Sequence, residues 1–353
     1  MSDVVNTGEG RLADAPSDHR PIARAKVGVL LVNLGTPDGT DYWSIRRYLN
    51  EFLSDKRVID APTWKWQPIL QGIILTLRPS KSGEAYRSIW NNELDESPLL
   101  TITRAQTEKI DVALTAKYGD NIVVDFCMRY GNPSTDSAIR RLHEQGCEKI
   151  VFFPLYPQYA APTTATANDH AFRTLMKMKW QPAIRTVPAY FDNPAYIAVL
   201  ATSVREAYAK LSTTPDHLVV SYHGVPERYL LEGDPYYCQC IKTTRLLAEA
   251  LGWDDGHLIT AFQSKFGPTK WVGPATVNEV ARLAKAGKTN ITIVAPAFSA
   301  DCVETLEEIN EEIRESFEEA GGETFTYIPC LNDRDDHIAA LLGIIENELQ
   351  GWV

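Results

Sequence analysis

The stretch VGVLLVNLGTP at residues 27–37 decides the fold that we expect for this chain. Residues 27–34 form an apolar run, and Gly35, Thr36 and Pro37 supply the turn that ends it. An apolar run of this length, closed by turn residues, is typical of a β-strand buried on both faces. Such strands occur in parallel sheets that helices cover, so the run predicts an α/β protein.

Strand and helix patterns then alternate along the chain. Further strands are predicted at residues 122–126, 149–153, 183–187, 217–222, 258–262, 291–296 and 324–328. Helices are predicted near residues 42–53, 103–117, 135–145, 164–178, 238–251, 274–286, 304–319 and 337–349. With the first run, this pattern gives four strands in each half. It predicts two doubly wound domains, each with a four-stranded parallel sheet flanked by helices.

The domain boundaries follow from this alternation. We predict a disordered tail at residues 1–26, a first domain at 27–190 and a second domain at 191–332. The boundary is placed by a proline-rich stretch at residues 188–194. Residues 333–353 are predicted to form a C-terminal helix that packs back on the body.

Composition excludes several classes of protein. The 353 residues include 35 Lys and Arg against 46 Asp and Glu, and a formal net charge of −11 argues against a nucleic-acid partner. Six cysteines are too few for a secreted disulfide framework. No run reaches the ~18 apolar residues of a membrane span, and the N-terminus lacks the apolar core of a secretory signal. We therefore expect a cytoplasmic protein.

Residues that directly follow strands are the candidates for a site, because ligands bind at the carboxyl ends of parallel strands. These loops carry mostly aromatic and apolar side chains, which suits a large, flat, apolar ligand. His223 ends one strand and precedes Gly224, and imidazole accepts protons near neutral pH. The alternative is a structural histidine that is hydrogen-bonded into a turn.

Glu304 follows another strand and opens an acidic stretch. On an α-helix Glu304, Glu308 and Glu312 would stand four residues apart and form one stripe of carboxylates. Oxygen ligands bind hard or borderline divalent cations, so the stripe predicts a route for a metal toward His223. For Glu307 and Glu311 we expect an ordinary solvated face.

Two further features have competing interpretations. Cys238 and Cys240 stand at a C-x-C spacing, which is not a zinc signature, and structural cysteine is the better interpretation. Trp64, Trp66 and the apolar residues 68–77 precede Arg78. They indicate either an ordinary core helix or an apolar lip that touches a membrane or admits an apolar substrate.

Several motifs, in order along nearly the whole chain, resemble those of the ferrochelatase family of class I chelatases, bacterial type. These are LLVNLGTP, RPSKSGEAYRSIW, ESPL, MRYGNP, LYPQYAAPTTAT, SYHGVPERY, GDPYYCQC, FQSKFGPTKWVGP and FSADCVETLEEI. The resemblance implies two Rossmann-like domains with the porphyrin in the cleft between them. It also implies insertion of Fe²⁺ into protoporphyrin IX, which gives protohaem and releases two protons as the last step of haem synthesis.

The resemblance also implies roles for particular residues. His223 and Glu304 are the expected catalytic residues, and both are expected to contact the metal. Glu308 and Glu312 are expected to continue the metal path outward. The substrate-binding residues that it implies are Leu34, Arg78, Lys81, Ser97, Arg129, Tyr130, Tyr159 and Trp271, of which Arg78, Lys81 and Ser97 would hold the propionates.

The chain departs from the family pattern at three positions. Cys302 stands where many members carry a histidine two residues before the catalytic glutamate, which puts a His/Glu metal pair in doubt. Ala161 stands where animal members carry a cluster-binding cysteine, so we expect no [2Fe-2S] cluster of the animal type. Leu34 stands where relatives that use coproporphyrin tend to carry tyrosine, which favours protoporphyrin IX.

Two other functions compete with iron insertion. A chelatase for another metal or tetrapyrrole would use the same histidine and glutamate. A haem carrier without activity would not need both residues. The resemblance and the apolar lip also indicate peripheral contact with the inner membrane, whereas the sequence does not define an oligomeric state.

Overall fold

The alternating pattern is present in the computed structural model, which describes residues 25–253, 256–265, 267 and 269–353. The first half contains β1 (Lys26–Thr36), β2 (Ile122–Gly131), β3 (Cys147–Pro154) and β4 (Ala183–Thr186). The second half contains β5 (His217–His223), β6 (Leu258–Gln263), β7 (Asn290–Val294) and β8 (Thr324–Ile328). The eight strands confirm the predicted ones to within a few residues at each end.

The strands form two separate four-stranded sheets with the same arrangement. Their orders are β2-β1-β3-β4 and β6-β5-β7-β8, and all neighbouring strands are parallel. The first strand of each half therefore lies inside its sheet, and the chain reverses its winding there. This order confirms the predicted pair of doubly wound sheets.

Helices connect the strands. The helices before β5 are α1 (Tyr42–Ser54), α2 (Thr63–Ile69), α3 (Leu75–Ile89), α4 (Pro98–Tyr118), α5 (Thr135–Glu144), α6 (Thr166–Leu175) and α7 (Pro194–Tyr208). Those after β5 are α8 (Glu227–Leu231), α9 (Tyr236–Leu251), α10 (Thr276–Lys285), α11 (Arg314–Glu319) and α12 (Asp335–Leu349). Three segments are π-helical, Leu70–Ile74, Ala161–Ala165 and Glu304–Ile313, and Gly119–Asn121 is a 3₁₀ turn.

A large apolar core joins the halves. In β1, Val29 and Leu31 face this shared core, whereas Leu30 and Val32 face a second core beneath helices α5 and α6. In β5, Val220 likewise faces the shared core. Because side chains alternate along a strand, both faces of β1 are buried, as the apolar run predicted.

The structure differs from the predictions in several places, and one of them is α3, which the sequence patterns did not predict as a helix. Lys26, assigned to the tail, begins β1, and residues 1–24 of the predicted tail lie outside the described residues. The sequence patterns missed α7, which begins with Pro194 in its first turn and is capped by Asn193. They also missed the short α8 after His223. The predicted boundary at residue 190 stays a prediction.

The C-terminal helix contacts both halves. Lys117 of α4 forms an ion pair with Glu346 of α12 at 2.7 Å. The Lys149 ammonium donates to the carbonyl of Trp352 at 3.2 Å, and Arg185 lies over the Trp352 ring. These contacts hold α12 and the residues after it against the first sheet.

Candidate active site

His223 is the last residue of β5 and is half-buried. It aligns with Gln263, the last residue of β6. Its Nδ1 lies 2.7 Å from the carbonyl oxygen of Gly224. A carbonyl oxygen only accepts hydrogen bonds, so Nδ1 carries the proton in this contact, and in the neutral ring Nε2 is the nitrogen that accepts protons. The imidazole therefore has a basic nitrogen.

Gly224 permits a close approach behind this histidine. A Cβ at residue 224 would lie 2.8 Å from the carbonyl oxygen of Gln263 and 3.1 Å from the Trp271 ring. Any larger residue would therefore displace the strand end or the indole. The predicted substrate residue Trp271 is thus packed directly beside the histidine loop. Phe266 and Pro268, in the motif leading to Trp271, lie outside the described residues.

Gln263 connects the two strand ends to the acidic helix. Its Oε1 accepts a hydrogen bond from Ser221 at 2.7 Å. Its amide nitrogen lies 2.8 Å from the carbonyl oxygen of Glu304 and 3.3 Å from Oε2 of Glu308. Gln263 is almost fully buried, so its contacts fix the position of Glu304 relative to β5.

The acidic stretch differs from its prediction. Residues Glu304–Ile313 form a π-helix, not the expected α-helix. In a π-helix the backbone hydrogen bonds join residues five apart instead of four. The expected α-helix is therefore wrong here, whereas the stripe of Glu304, Glu308 and Glu312 stays a prediction.

Glu308 lies close to both predicted catalytic residues. Burial raises the pKa of its carboxyl group, and the negative charge of Glu304 raises it further. A hydrogen bond from Ser264, at 2.5 Å, and the charge of His223 act in the opposite direction on this pKa. The net pKa is above the ordinary value. Glu308 is thus a carboxyl group that can carry a proton nearer neutral pH than an exposed one.

Glu307, which was predicted to lie on an ordinary solvated face, is partly buried. Burial and the charges of Glu312, Glu311 and Glu308 raise its pKa to about 7. Glu311 is exposed, as predicted, and so is Glu312. The ammonium of Lys81 on α3 lies 3.9 Å from Oε1 of Glu312. Lys81, which is predicted to bind a propionate, thus lies next to Glu312, which is predicted to lie on the path of the metal.

Sequence comparison identifies the family. The family model described as Ferrochelatase matches residues 26–349. The chain is 64% identical over 343 residues to the ferrochelatase of Rhodobacter capsulatus, covering 97% of this chain and 98% of the relative. It is 56% identical over 353 residues to that of Allorhizobium ampelinum, with both chains fully covered. The chain belongs to the ferrochelatase family.

Solved structures support the fold of this family member. The sirohydrochlorin chelatase SirB of Bacillus subtilis subspecies spizizenii, in complex with cobalt, aligns with a TM-score of 0.52 and 11% identity. The alignment covers 92% of this chain and 96% of the other. SirB from Bacillus subtilis with Fe³⁺ aligns with a TM-score of 0.53 and 14% identity, covering 92% and 95% of the two chains. At these identities the likeness concerns the fold alone.

In this ferrochelatase-family chain, Arg129 and Tyr130 at the end of β2 are buried in a polar cluster with Asp55. The Arg129 guanidinium pairs with Asp55 and donates to Thr166 at 2.7 Å. The Tyr130 hydroxyl donates to Asp55 at 2.9 Å. Burial alone would raise the pKa of Asp55, but bonds from Thr166 and the charge of Arg129 lower it below its ordinary value.

Other predicted substrate residues occupy varied environments. Leu34 is partly buried in β1 and contacts the cores on both sides of its strand end. Ser97 is buried, and its hydroxyl caps α4 by accepting from the amide of Leu100 at 3.3 Å. Arg78 is exposed on α3. The backbone amide of Tyr159 donates to Gln239 of α9 at 2.7 Å. Their substrate roles stay predictions.

The apolar segment before Arg78 divides between the core and solvent. We use "the lip" for residues 63–81. Leu70 and Leu75 are fully buried, and the Trp66 indole donates to the carbonyl of Leu53 at 2.7 Å. Trp64 and Leu77 remain 74% and 71% exposed. Among the described residues no helix is long and apolar enough to cross a membrane.

Sequence reasoning missed several residues of the site. Tyr48 and Tyr86 are buried near Glu304, and burial together with the Glu304 charge raises their pKa well above the ordinary value. Asp55, which binds Arg129, was also missed, because it lies at the end of α1 and follows no strand. Gln263 could have been identified, because it directly follows the predicted strand at residues 258–262.

The described residues contain no group of three or more His, Cys, Asp or Glu arranged to hold a metal ion. Cys302, which precedes Glu304, is buried, and burial raises the pKa of its thiol well above the ordinary value. The same holds for Cys330. Burial therefore favours the protonated form of both thiols.

Proposed function

We propose that this chain inserts Fe²⁺ into protoporphyrin IX, forming protohaem and releasing two protons. One observation carries the assignment of the site. Glu308 contacts Gln263 and lies close enough to both His223 and Glu304 for their charges to shift its pKa. The basic imidazole nitrogen and the carboxylates needed to accept protons and guide a cation are therefore near one another. The family membership supplies the substrate class.

We assign the first proton transfer to His223. With Nδ1 hydrogen-bonded to the Gly224 carbonyl, Nε2 can accept a proton from a pyrrole N–H. The Gly224 contact fixes the ring, so the imidazole does not need to reorient. The imidazolium that forms would be stabilised by the nearby negative charge of Glu304 or Glu308.

Glu304 and Glu308 are assigned to the movement of the second proton and of the metal. A carboxyl group with a raised pKa binds a proton near neutral pH and releases it when a neighbouring charge changes. As Fe²⁺ approaches, its positive charge favours the ionised carboxylate, so metal entry and proton departure are coupled. Glu307 and Glu312 would continue this route toward solvent.

The remaining predicted residues are assigned to porphyrin shape and orientation. Porphyrin nitrogens become accessible to a metal when the macrocycle bends, and rigid contacts along an apolar cleft can impose this bend. Trp271 is held against Gly224 and Tyr130 against Asp55, which makes both rings rigid. Arg78 and Lys81 are assigned to the propionates, and Leu34 gives an apolar wall that favours protoporphyrin over coproporphyrin.

We also propose that the lip contacts a membrane peripherally, on its inner face. Trp64 and Leu77 are mostly exposed, while Trp66 and Leu70 anchor the same segment to the body. Anchored apolar side chains that remain exposed are typical of interfacial segments. An apolar substrate and product would enter and leave most easily at such a surface.

Anaerobic conversion of protoporphyrin IX by purified protein and Fe²⁺, followed by absorbance, tests the proposed reaction. Coproporphyrin III should be assayed in parallel, and Zn²⁺ and Co²⁺ should replace iron in separate reactions. We expect iron insertion into protoporphyrin to be preferred. Tight porphyrin binding without conversion would instead support a carrier, and a preference for coproporphyrin would overturn the role given to Leu34.

A further inference from the structure

A second exposed surface lies at the end of α6, outside the site described above. We call it the α6 patch, and it consists of Phe172, Arg173, Met176, Lys177, Lys179 and Trp180. Phe172 is 44%, Met176 78% and Trp180 47% exposed. The three cationic residues are also exposed. Large apolar and cationic side chains therefore alternate on one short surface segment.

The charge of the α6 patch is opposite to that of the chain. The whole chain has a formal net charge of −11, whereas residues 170–182 contain no Asp or Glu. Two carboxylates nearby are already paired with arginine. Asp136 of α5 binds Arg140 at 2.8 Å, and Asp169 binds Arg57 at 3.0 Å and Arg173 at 3.4 Å. The lysines of the patch therefore present positive charge to solvent.

The backbone of the patch is firmly held. Met176 and Lys177 donate backbone hydrogen bonds to Phe172 and Thr174, and the side chain of Gln181 donates to the carbonyl of Leu175 at 2.9 Å. The Trp180 ring packs edge-on against His143 of α5, with ring centroids 5.0 Å apart. The backbone of the patch and the Trp180 ring are thus held in place at the surface.

The patch adjoins the segment that leads into the lip. Asp169 binds Arg173 of the patch and Arg57, which lies between α1 and the lip. The lip has the same composition, because residues 61–83 contain Lys65, Arg78 and Lys81 but no acidic residue. Asp169 therefore connects the α6 patch to Arg57, which precedes the lip in the chain.

We propose that the α6 patch binds anionic phospholipid headgroups and forms a second membrane contact in addition to the lip. Lysine near an anionic bilayer is favoured electrostatically, and tryptophan is favoured at the boundary between headgroups and acyl chains. Protein interfaces, in contrast, are depleted in lysine, which makes a protein partner a poorer match. This inference extends the proposed membrane contact but depends on different residues.

Flotation of the full chain with lipid vesicles tests the proposal. Vesicles of phosphatidylcholine alone should be compared with an equimolar mixture of phosphatidylcholine and phosphatidylglycerol, at low and high salt. The test variant is Lys177→Glu/Lys179→Glu. The control is Lys210→Glu/Lys285→Glu, which makes the same change in net charge on exposed positions of the second half. We expect the test variant to lose at least about tenfold in affinity for anionic vesicles, and the control to lose much less.

Met176→Ser leaves the charge unchanged and should weaken vesicle binding. A lip variant, Trp64→Ala/Leu77→Ala, measures the contribution of the lip to vesicle binding separately. Equal binding to both vesicle types, or equal losses in test and control variants, would overturn the proposal. A change in sedimentation of the lipid-free protein on reversing the lysines would also overturn it, in favour of a protein interface. Iron insertion into detergent-dispersed protoporphyrin should be unchanged in the lysine variant, which separates this proposal from the proposed reaction.

Discussion

The strand ends of the two halves hold polar residues in different ways. At the end of β2, Arg129 and Tyr130 are buried, and both bind Asp55. At the end of β5, His223 makes one hydrogen bond through Nδ1 and keeps a basic nitrogen. The nearby carboxyl group of Glu308 has a raised pKa instead of a lowered one.

This difference assigns different tasks to the two halves. A buried charge that is fully paired stays in one protonation state, so the first half can provide a rigid, unchanging wall. Groups whose pKa values are shifted toward neutrality can exchange protons, so the second half can carry the chemistry. The following predictions test this division, from the largest expected effect to the smallest.

Replacing His223 should have the largest effect on turnover. We expect His223→Ala to lower the rate of iron insertion by about 10²–10⁴-fold, as for loss of a general base, with porphyrin binding largely kept. Anaerobic single-turnover absorbance measures the rate, and quenching of porphyrin fluorescence measures binding. His217→Ala, at the other end of β5, is the matched control and should turn over normally. Near-normal turnover of His223→Ala would remove the chemical role from the second half.

Replacing Arg129 should mainly affect stability. Arg129→Met leaves the buried carboxylate of Asp55 without its cationic partner, which typically costs about 3–5 kcal/mol in the free energy of unfolding. Urea denaturation measures this loss. Arg173→Met removes an arginine from a largely exposed ion pair with Asp169 and should cost at most about 0.5 kcal/mol. Equal losses in the two variants would contradict the view of the β2 end as a rigid wall.

Much of the fold could be predicted because apolar runs report burial on both faces. Residues 27–34 predicted a buried strand, and β1 is buried with both faces in apolar cores. The start of α7 could not be predicted in the same way, because proline there resembled a linker, although it fits the first turn of a helix. The order of strands also needed the structure, since sequence patterns do not determine which strands pair.

The position of His223 at the end of a strand could be predicted, because the apolar run before it ends there. The pitch of the acidic helix could not, because the propensities of its residues do not distinguish α from π geometry. As a result, Glu307 was assigned to solvent although it is partly buried. Asp55 was missed because its partner Arg129 is 74 residues away in sequence, and only tertiary structure joins them.

Gln263 tests how the second half holds its carboxylates. Gln263→Glu keeps an acceptor for Ser221 but brings another carboxylate beside Glu308, which should raise the pKa of Glu308 further. We expect about a tenfold loss of kcat and a shift of the pH–rate profile to higher pH, with a smaller change in KM. Gln106→Glu is the control, because Gln106 is also buried but donates to the carbonyl oxygens of Ser299 and Asn332. Gln106→Glu should lower the free energy of unfolding and leave the pH–rate profile unshifted.

Replacing Glu307 should have the smallest effect, and the direction of the change in stability follows from its raised pKa. Its pKa is raised to about 7 from an ordinary value of 4.5, so its ionised form destabilises the folded state. This penalty is absent below about pH 4.5, grows as pH rises toward 7 and is complete above that. Glu307→Gln should therefore stabilise the metal-free protein at pH 8 by about 1 kcal/mol, a value reduced for the solvent-exposed part of the side chain.

Thermal unfolding at pH 8 and near pH 4.5, both with a chelator present, measures the effect of Glu307→Gln. The gain in Tm should disappear at the lower pH. Glu311→Gln, on the exposed face of the same π-helix, should change stability by less than about 0.5 kcal/mol at either pH. If Glu307→Gln instead lowered Tm at pH 8, the carboxylate would have a favourable cationic partner in the fold. The second half would then hold this charge as the first half holds Asp55, and the proposed division between wall and chemistry would not extend to Glu307.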